Sequence, residues 1–370
     1  MVPYILLIAL SGVLCFITIE KRNGAYSLLL GNSRRIVNKN IALPTFFVML
    51  FLLVALRDVS VGNDTQNYQY IFEKYSAMRL REVIEDDGDV LYDMLMWLIG
   101  CFTDNYQICL TIVAALTIYP LAKLYLEDRQ FGFLKIVLFV TLPIFILLFS
   151  GMRQWLSMSV GILAYEHIRK RKPIRFLLMV LIAIGFHHSA FMLLPMYWIY
   201  HTRITTKSLY VVIPCIVLVY IFNKPIFQFL TSLMSTYSEK YMGDLEETGA
   251  YTSLILYVML AVFCFAIPDR NALDAETMGL RNFLLFAVML QCFAPLHSLA
   301  MRLNYFYILF IPITIPKCMK ATATKNIFLS KLAHVVMCVF FPIYFLITCY
   351  QAMQDGGALQ TVPYIPYWGG

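Results

Sequence analysis

Apolar residues fall into long runs separated by short polar stretches. The runs cover Val2–Ile19, Ile41–Leu56 and residues 90–103, 106–124, 134–150, 152–168, 174–186, 188–200, 208–222, 251–267, 282–297, 303–316 and 332–350. A helix needs about 17–25 such residues to cross a hydrocarbon core. The pattern predicts an all-α polytopic membrane protein of about 11–13 membrane helices, forming one integral membrane domain over residues 1–370. Two runs, 174–186 and 188–200, are too short to cross and meet at Phe186-His187-His188-Ser189. Short helices meeting at polar residues predict a water-filled cavity that cuts into the membrane. Val2–Ile19 has no basic leader and no small-residue cleavage site, and Glu20-Lys21-Arg22 follows it directly. It reads as a first membrane helix rather than a removable signal.

Charge sets the expected orientation. Basic clusters at 20–40, 122–135, 169–175, Arg203/Lys207, 268–281 and 317–331 hold 21 of the 29 Lys and Arg residues. Placing these inside leaves 8 outside, as the positive-inside rule requires. The outer face then receives the acidic stretch 57–89, expected to carry interfacial helices, and a second loop at 223–250. For 122–135 and 169–175 both to lie inside, one intervening run must fail to cross. Either 90–103 is re-entrant or interfacial, or 122–135 lies outside and Pro143 breaks the 134–150 run. The terminal Tyr364-Ile365-Pro366-Tyr367-Trp368 reads as an aromatic interface anchor.

Composition agrees. Hydrophobic residues make up 60% and charged residues 14%, with mean hydropathy +0.72, so too little polar surface exists to solvate a soluble globule of 370 residues. The net charge of +7 is spread over loops rather than gathered in a patch, which argues against nucleic acid as a partner. The nine cysteines lie almost wholly in apolar runs without C-x-x-C spacing, so neither zinc nor a disulfide framework is indicated.

Four polar constellations stand where a membrane should not tolerate them, and such groups are functional candidates. In Arg57-Asp58-Val59-Ser60-Val61-Gly62-Asn63-Asp64-Thr65-Gln66-Asn67-Tyr68, Gly62 permits a tight turn and Asn63 with Gln66 reads as a helix capping box. Asp64 and Tyr68 then share a helix face. Arg57 is either an interface anchor or a substrate ligand, and Asp64 either favours a helix N-terminus or takes a proton from a sugar hydroxyl. In Gly151-Met152-Arg153-Gln154-Trp155, an arginine at a helix start is on the wrong end of the dipole and wants an anionic partner, from the protein or a ligand. His187-His188-Ser189 could be structural, catalytic or phosphate-facing. A metal is disfavoured, because adjacent histidines diverge on a helix and no carboxylate or cysteine is near in sequence. In His297 to Tyr307, Arg302 and Tyr305 share a face, and arginine's forked donors match diphosphate oxygens.

The order R-x-x-x-V-G-x-D-T-x-x-Y (Arg57 to Tyr68), R-Q (Arg153-Gln154), F-H-x-S-A (Phe186 to Ala190) and R-x-x-Y-x-Y (Arg302 to Tyr307) resembles the EpsG family, itself similar to Wzy-type O-antigen and capsular polysaccharide polymerases. His188 occupies the variable position of the third element. The resemblance implies a multi-pass bacterial inner-membrane glycosyltransferase of exopolysaccharide, capsule or O-antigen assembly, with its site facing the periplasm. It implies a GT-C-like arrangement of helices around an outward-facing cavity. The substrate would be an undecaprenyl-diphosphate-linked oligosaccharide, polymerised with inversion and without metal or other cofactor. A flippase and a chain-length regulator are implied partners beside the lipid bilayer. Asp64 would be the general base, with His187 second. Arg57, Arg153, Gln154, Arg302, Tyr68, Tyr305 and His188 would bind diphosphate or glycan. A lipid-linked oligosaccharide flippase or other transporter, and a glycan ligase, are the alternatives.

Overall fold

A computed structural model describes residues 2–15, 17–22, 25–30, 41–232, 251–355 and 361–369. The chain forms two compact units, Met1–Phe191 with Leu332–Gly370, and Met192–Lys331.

The first unit opens with α1 (Val2–Leu14), which is shorter than the apolar run. Ile17-Thr18-Ile19 leaves the helix for β1 (Ile17–Arg22), paired antiparallel with β2 (Ala25–Leu30) in the register Ile17↔Leu30 to Arg22↔Ala25. Branched side chains lose rotamer freedom in a helix and suit a strand, so one hairpin accompanies the otherwise helical elements expected. Then follow α2 (Ala42–Ala55), α3 (Thr65–Ser76), α4 (Leu80–Glu85), α5 (Val90–Gly100), α6 (Tyr106–Leu126), α7 (Gly132–Thr141), α8 (Pro143–Ser150), α9 (Met152–Arg169) and α10 (Pro173–Phe186). A 3₁₀ turn, His188–Leu193, leads out of the unit. The last helix, α18 (Ile327–Asp355), belongs to this unit from Leu332 onward.

Helix termini in this unit sort into two ends. At one, the Tyr4 hydroxyl donates to the Thr361 carbonyl (2.8 Å), and the C-terminal segment pairs with the exit of α2. There Asp58 N–H donates to Ile365 O (2.9 Å) and Tyr367 N–H to Leu56 O (3.0 Å). The segment expected as a surface anchor is therefore tied to backbone, although Tyr367 and Trp368 stay exposed. The start of α6 joins this end through the Tyr106 hydroxyl, which donates to Thr65 O (3.0 Å). At the other end, Arg169 closing α9 holds Glu127 just past α6 with both guanidinium arms, at 2.6 and 2.9 Å. With 1.5 Å of rise per residue, α6 and α9 run roughly 31 and 27 Å between these ends.

Both alternatives left open by charge leave a trace in the helices. Helix α5 has 11 residues, roughly 16 Å, and packs along α3. Gly100 at its end presses on Ser76 at the end of α3, where a Cβ would lie 2.2 Å from Ser76 Oγ. At 11 residues α5 is shorter than a bilayer crossing needs. Pro143 also breaks its run, bending α7 against α8 by 65°. Aromatic side chains Tyr68, Phe72, Tyr75, Tyr92 and Tyr106 form the core that joins α3, α5 and α6.

The second unit contains α11 (Met196–His201), α12 (Thr206–Ile221), α13 (Asn223–Ser232), α14 (Tyr251–Ala266), α15 (Ala275–Gln291), α16 (Ser298–Ile308) and α17 (Ile311–Lys325). Helices α12 and α13 bend by 80°, and α16 and α17 by 46°. The expected loop at 223–250 begins as helix α13, and its acidic residues Glu239, Asp244, Glu246 and Glu247 lie outside the described residues. Buried amides satisfy carbonyls between helices. Asn304 donates to Ala287 O (3.0 Å) and Gln291 Oε1 (2.8 Å), and Asn282 to Ile199 O (2.9 Å) and Thr202 O (2.7 Å).

The protein is a membrane-embedded helical assembly. Among the described residues, Tyr106–Leu126 and Ile327–Gln351 are each long and apolar enough to cross a bilayer, and three bent pairs raise this to five. That is fewer than the apolar runs suggest, because α1, α2, α10 and α14 are apolar but only 13–16 residues long. Cys101 and Cys215 are exposed, whereas Cys109, Cys264, Cys292, Cys318 and Cys349 are buried as expected.

Candidate active site

The Val61-Gly62-Asn63-Asp64-Thr65 segment docks onto the end of α8. Gly62 has φ +98°, and a Cβ there would lie 2.2 Å from Phe149 O, so only glycine fits this turn. Thr65 donates its hydroxyl to Val61 O (2.7 Å) and faces Phe149 O (3.2 Å). Asp64 N–H donates to Ser150 Oγ (3.3 Å), and that hydroxyl faces Asp64 Oδ2 at 3.5 Å. The expected capping box does not form: Asp64, not Asn63, is the N-cap of α3, and no side chain caps it. The turn at Gly62 shifts the helix start by one residue and frees the half-buried Asp64 carboxylate. Tyr68, one turn on, is buried, and its ring faces Arg153.

Gly151 follows Ser150 and starts α9, which places Arg153 in its first turn. Its anionic partner is Asp89, the N-cap residue of α5: Arg153 Nη1 lies 3.1 Å from Asp89 Oδ2. The guanidinium also lies over the rings of Tyr68 (5.7 Å) and Tyr92 (5.8 Å). Helix α10 packs antiparallel on α9 and ends at the same level. His187 caps it in extended backbone, so the two histidines do not diverge along a helix as expected. Both turn to the same carboxylate, with His187 Nδ1 3.2 Å from Asp89 Oδ2 and His188 Nδ1 2.6 Å from Oδ1. Asp89 is thus bound by three side chains from α9 and the α10 terminus while its own side chain is only 5% exposed.

The carboxylates here are shifted in opposite directions. Burial pushes the Asp89 carboxyl up, but His187, Arg153 and His188 more than reverse this and hold it below the usual carboxylate range. Asp93, one turn into α5, has no such fork. Burial pushes it up to about 6; Tyr75 and Arg153 oppose this, and the charges of Asp89 and Asp86 add to it. Its Oδ2 is buried without a hydrogen-bond partner. Asp86, at the rim, is held low by Lys74 (2.5 Å) and the Tyr75 hydroxyl (2.7 Å).

The other expected residues lie elsewhere. Arg57 is 1% exposed, donates to Val54 O, and has its Nε unpartnered; it is a buried group rather than an interface anchor. Gln154 is buried behind Arg153. Arg302 and Tyr305 are on α16 of the second unit, Arg302 half-buried and Tyr305 buried. Among the described residues no group of three His, Cys, Asp or Glu side chains is arranged to hold a metal ion.

A model of the EpsG family matches residues 40–367. The chain belongs to the EpsG family. In this EpsG protein the matched region includes every residue of the cluster. No curated protein and no solved structure matches the chain.

Sequence reasoning missed Asp89, Asp93, Tyr92 and Ser150. Asp89 was visible only as one carboxylate of an acidic stretch. The overlooked signal was Asp93, a carboxylate inside an apolar run and four residues from Asp89, hence on one helix face with it.

Proposed function

We propose that this EpsG protein is a polysaccharide repeat-unit polymerase. It transfers a glycan from undecaprenyl diphosphate to a hydroxyl of a second lipid-linked repeat unit, by one inverting displacement that needs no metal. The observation that carries this reading is the gathering of Arg153, His187, His188 and Tyr68 around Asp89, with Asp64 beside Ser150, at one end of a membrane-embedded helical unit. The opposite end carries Arg169, Lys170, Arg171 and Lys172, a helix length away. The positive-inside rule then puts the cluster at the outer, periplasmic face of the inner membrane. A GT-C-like, outward-facing cavity and a full set of 11–13 spans belong to this reading.

The chemistry needs three things. Negative charge developing on the leaving diphosphate must be met, and Arg153 supplies forked donors for it. The acceptor hydroxyl must lose a proton, and Asp64 takes it, being a half-buried carboxylate with the Ser150 hydroxyl beside it. His187 orients that hydroxyl. The C–O bond to the diphosphate breaks as the new glycosidic bond forms, and the proton passes from Asp64 to water. Tyr68 faces Arg153 in the substrate path, and the buried Gln154 and Arg57 support it from behind. A flippase would supply the lipid-linked units and a chain-length regulator would set product length. A transporter would need ionisable groups with access to both faces, whereas this cluster is gathered at one end. The test is deletion of the gene: long polymer should vanish while single lipid-linked units accumulate. Normal polymer length would refute the reading, and accumulation of unattached long polymer would point to a ligase.

A further inference from the structure

Asp89 has more partners than a structural ion pair requires. A carboxylate cannot donate, so His187 and His188 must each carry a proton on Nδ1 to bond it. That leaves each Nε2 as the outward atom, with a lone pair in the neutral ring. His188 is 63% exposed at its side chain, His187 29% and Arg153 31%, all radiating from a carboxylate that is 5% exposed. Two partly exposed imidazoles held by a buried carboxylate contribute little to packing. Their geometry suits presentation to a ligand: lone-pair acceptors for hydroxyl protons on one side, and a guanidinium for an anion on the other.

We infer that Asp89 is a positioning residue that makes one two-sided receptor from these three groups. It fixes His187 and His188 as acceptors for sugar hydroxyls of the acceptor glycan, and it aims Arg153 at the diphosphate of the donor. The inference rests on the polymerase reading and names how that site selects its two substrates. Asp89 does not touch the reacting atoms. It acts through tautomer and orientation, as the buried aspartate of a Ser-His-Asp triad does.

The test uses the full-length protein in liposomes, with lipid-linked repeat units extracted from cells lacking the gene. Asp89→Asn replaces one acceptor oxygen by an N–H donor, which drives one imidazole into the other tautomer and leaves Arg153 without its counter-charge. The expected result is a fall in kcat of about 100-fold, the scale of a misplaced reactant. KM for the lipid-diphosphate donor should not rise, because Arg153 is released rather than lost. Asp89→Glu keeps the charge and should recover part of the loss. If Asp89→Asn is poorly folded, the double variant Asp89→Asn/Arg153→Gln removes the unpaired charge. It should recover thermal stability, and its kcat should be lower than that of Arg153→Gln alone, because the histidines have also lost their carboxylate. A kcat within twofold of wild type for Asp89→Asn overturns the inference. So does a double variant with the kcat of Arg153→Gln alone, which would make Asp89 a stabilising ion-pair partner only. Failure of the wild-type protein to transfer glycan from these units is a different outcome, and it refutes the polymerase reading itself.

Discussion

Asp93→Asn should stabilise this protein, and should do so more at alkaline than at acidic pH. The Asp93 residue is 2% exposed, its Oδ2 has no partner, and Asp89 and Asp86 are close enough to repel its charge. Its carboxyl therefore titrates at about 6 in the folded protein. An unfolded aspartate titrates near 3.9, so the folded state holds the extra proton between these values. Folding stability then falls as pH rises from about 4 through about 6, and levels off above that. A difference of roughly 2 units corresponds to at most about 3 kcal/mol, of which about half is expressed at pH 5. Asparagine keeps the shape and carries no charge, so it removes this cost. Asp93 lies one turn inside α5 near the partly exposed Arg153, so the titration takes place within reach of water. Thermal unfolding of wild type and variant in the same detergent, at pH 5 and pH 8, checks this. The expected gain in midpoint at pH 8 is several degrees, about twice that at pH 5. An equal gain at both values, or a loss at pH 8, would refute the argument that a buried, uncompensated charge is the cause.

Asp64→Asn keeps shape but cannot accept a proton, and should reduce polymerisation by about 10²–10⁴-fold while expression holds. Counting turnover in liposomes checks it, and full activity there together with loss in His187→Ala would move the base to the histidine. Arg153→Lys keeps charge but loses the fork, so it should lower turnover substantially in folded protein; near-normal turnover would remove Arg153 from diphosphate binding. Gly62→Ala should misplace Asp64, because a φ of +98° alone costs a non-glycine residue about 1–3 kcal/mol and the new Cβ meets Phe149 O. Loss of both midpoint and polymer length is expected, and a variant of wild-type stability would contradict the docking of this turn.

The membrane class, the helical content and the motif order are all legible in the chain, because apolar run length and composition report directly on solvent. Arg153's need for an anion was legible too, from a charge at the wrong end of a helix dipole. Its partner was not. Asp89 precedes Arg153 by 64 residues and meets it only because α5 packs on α10 beside α9. The same packing corrects the histidine pair: no carboxylate is near in sequence, yet one is shared in space. The length of the first helix was misread because hydropathy does not distinguish Ile17-Thr18-Ile19 in a strand from the same residues in a helix. The non-crossing of α5 was one of two alternatives open from charge counting. Its 11 residues favour that alternative, because they are too few to cross alone.

The central claim is repeat-unit polymerisation on lipid diphosphate, and reconstitution tests it most directly. The purified protein, placed in liposomes with a single kind of undecaprenyl-diphosphate-linked repeat unit and no nucleotide sugar, should convert it into a ladder of lipid-linked products. Successive products should differ by one whole unit, and one undecaprenyl diphosphate should be released per step. Transfer of one unit without a ladder, or movement of intact units across the bilayer with no new glycosidic bond, would contradict it.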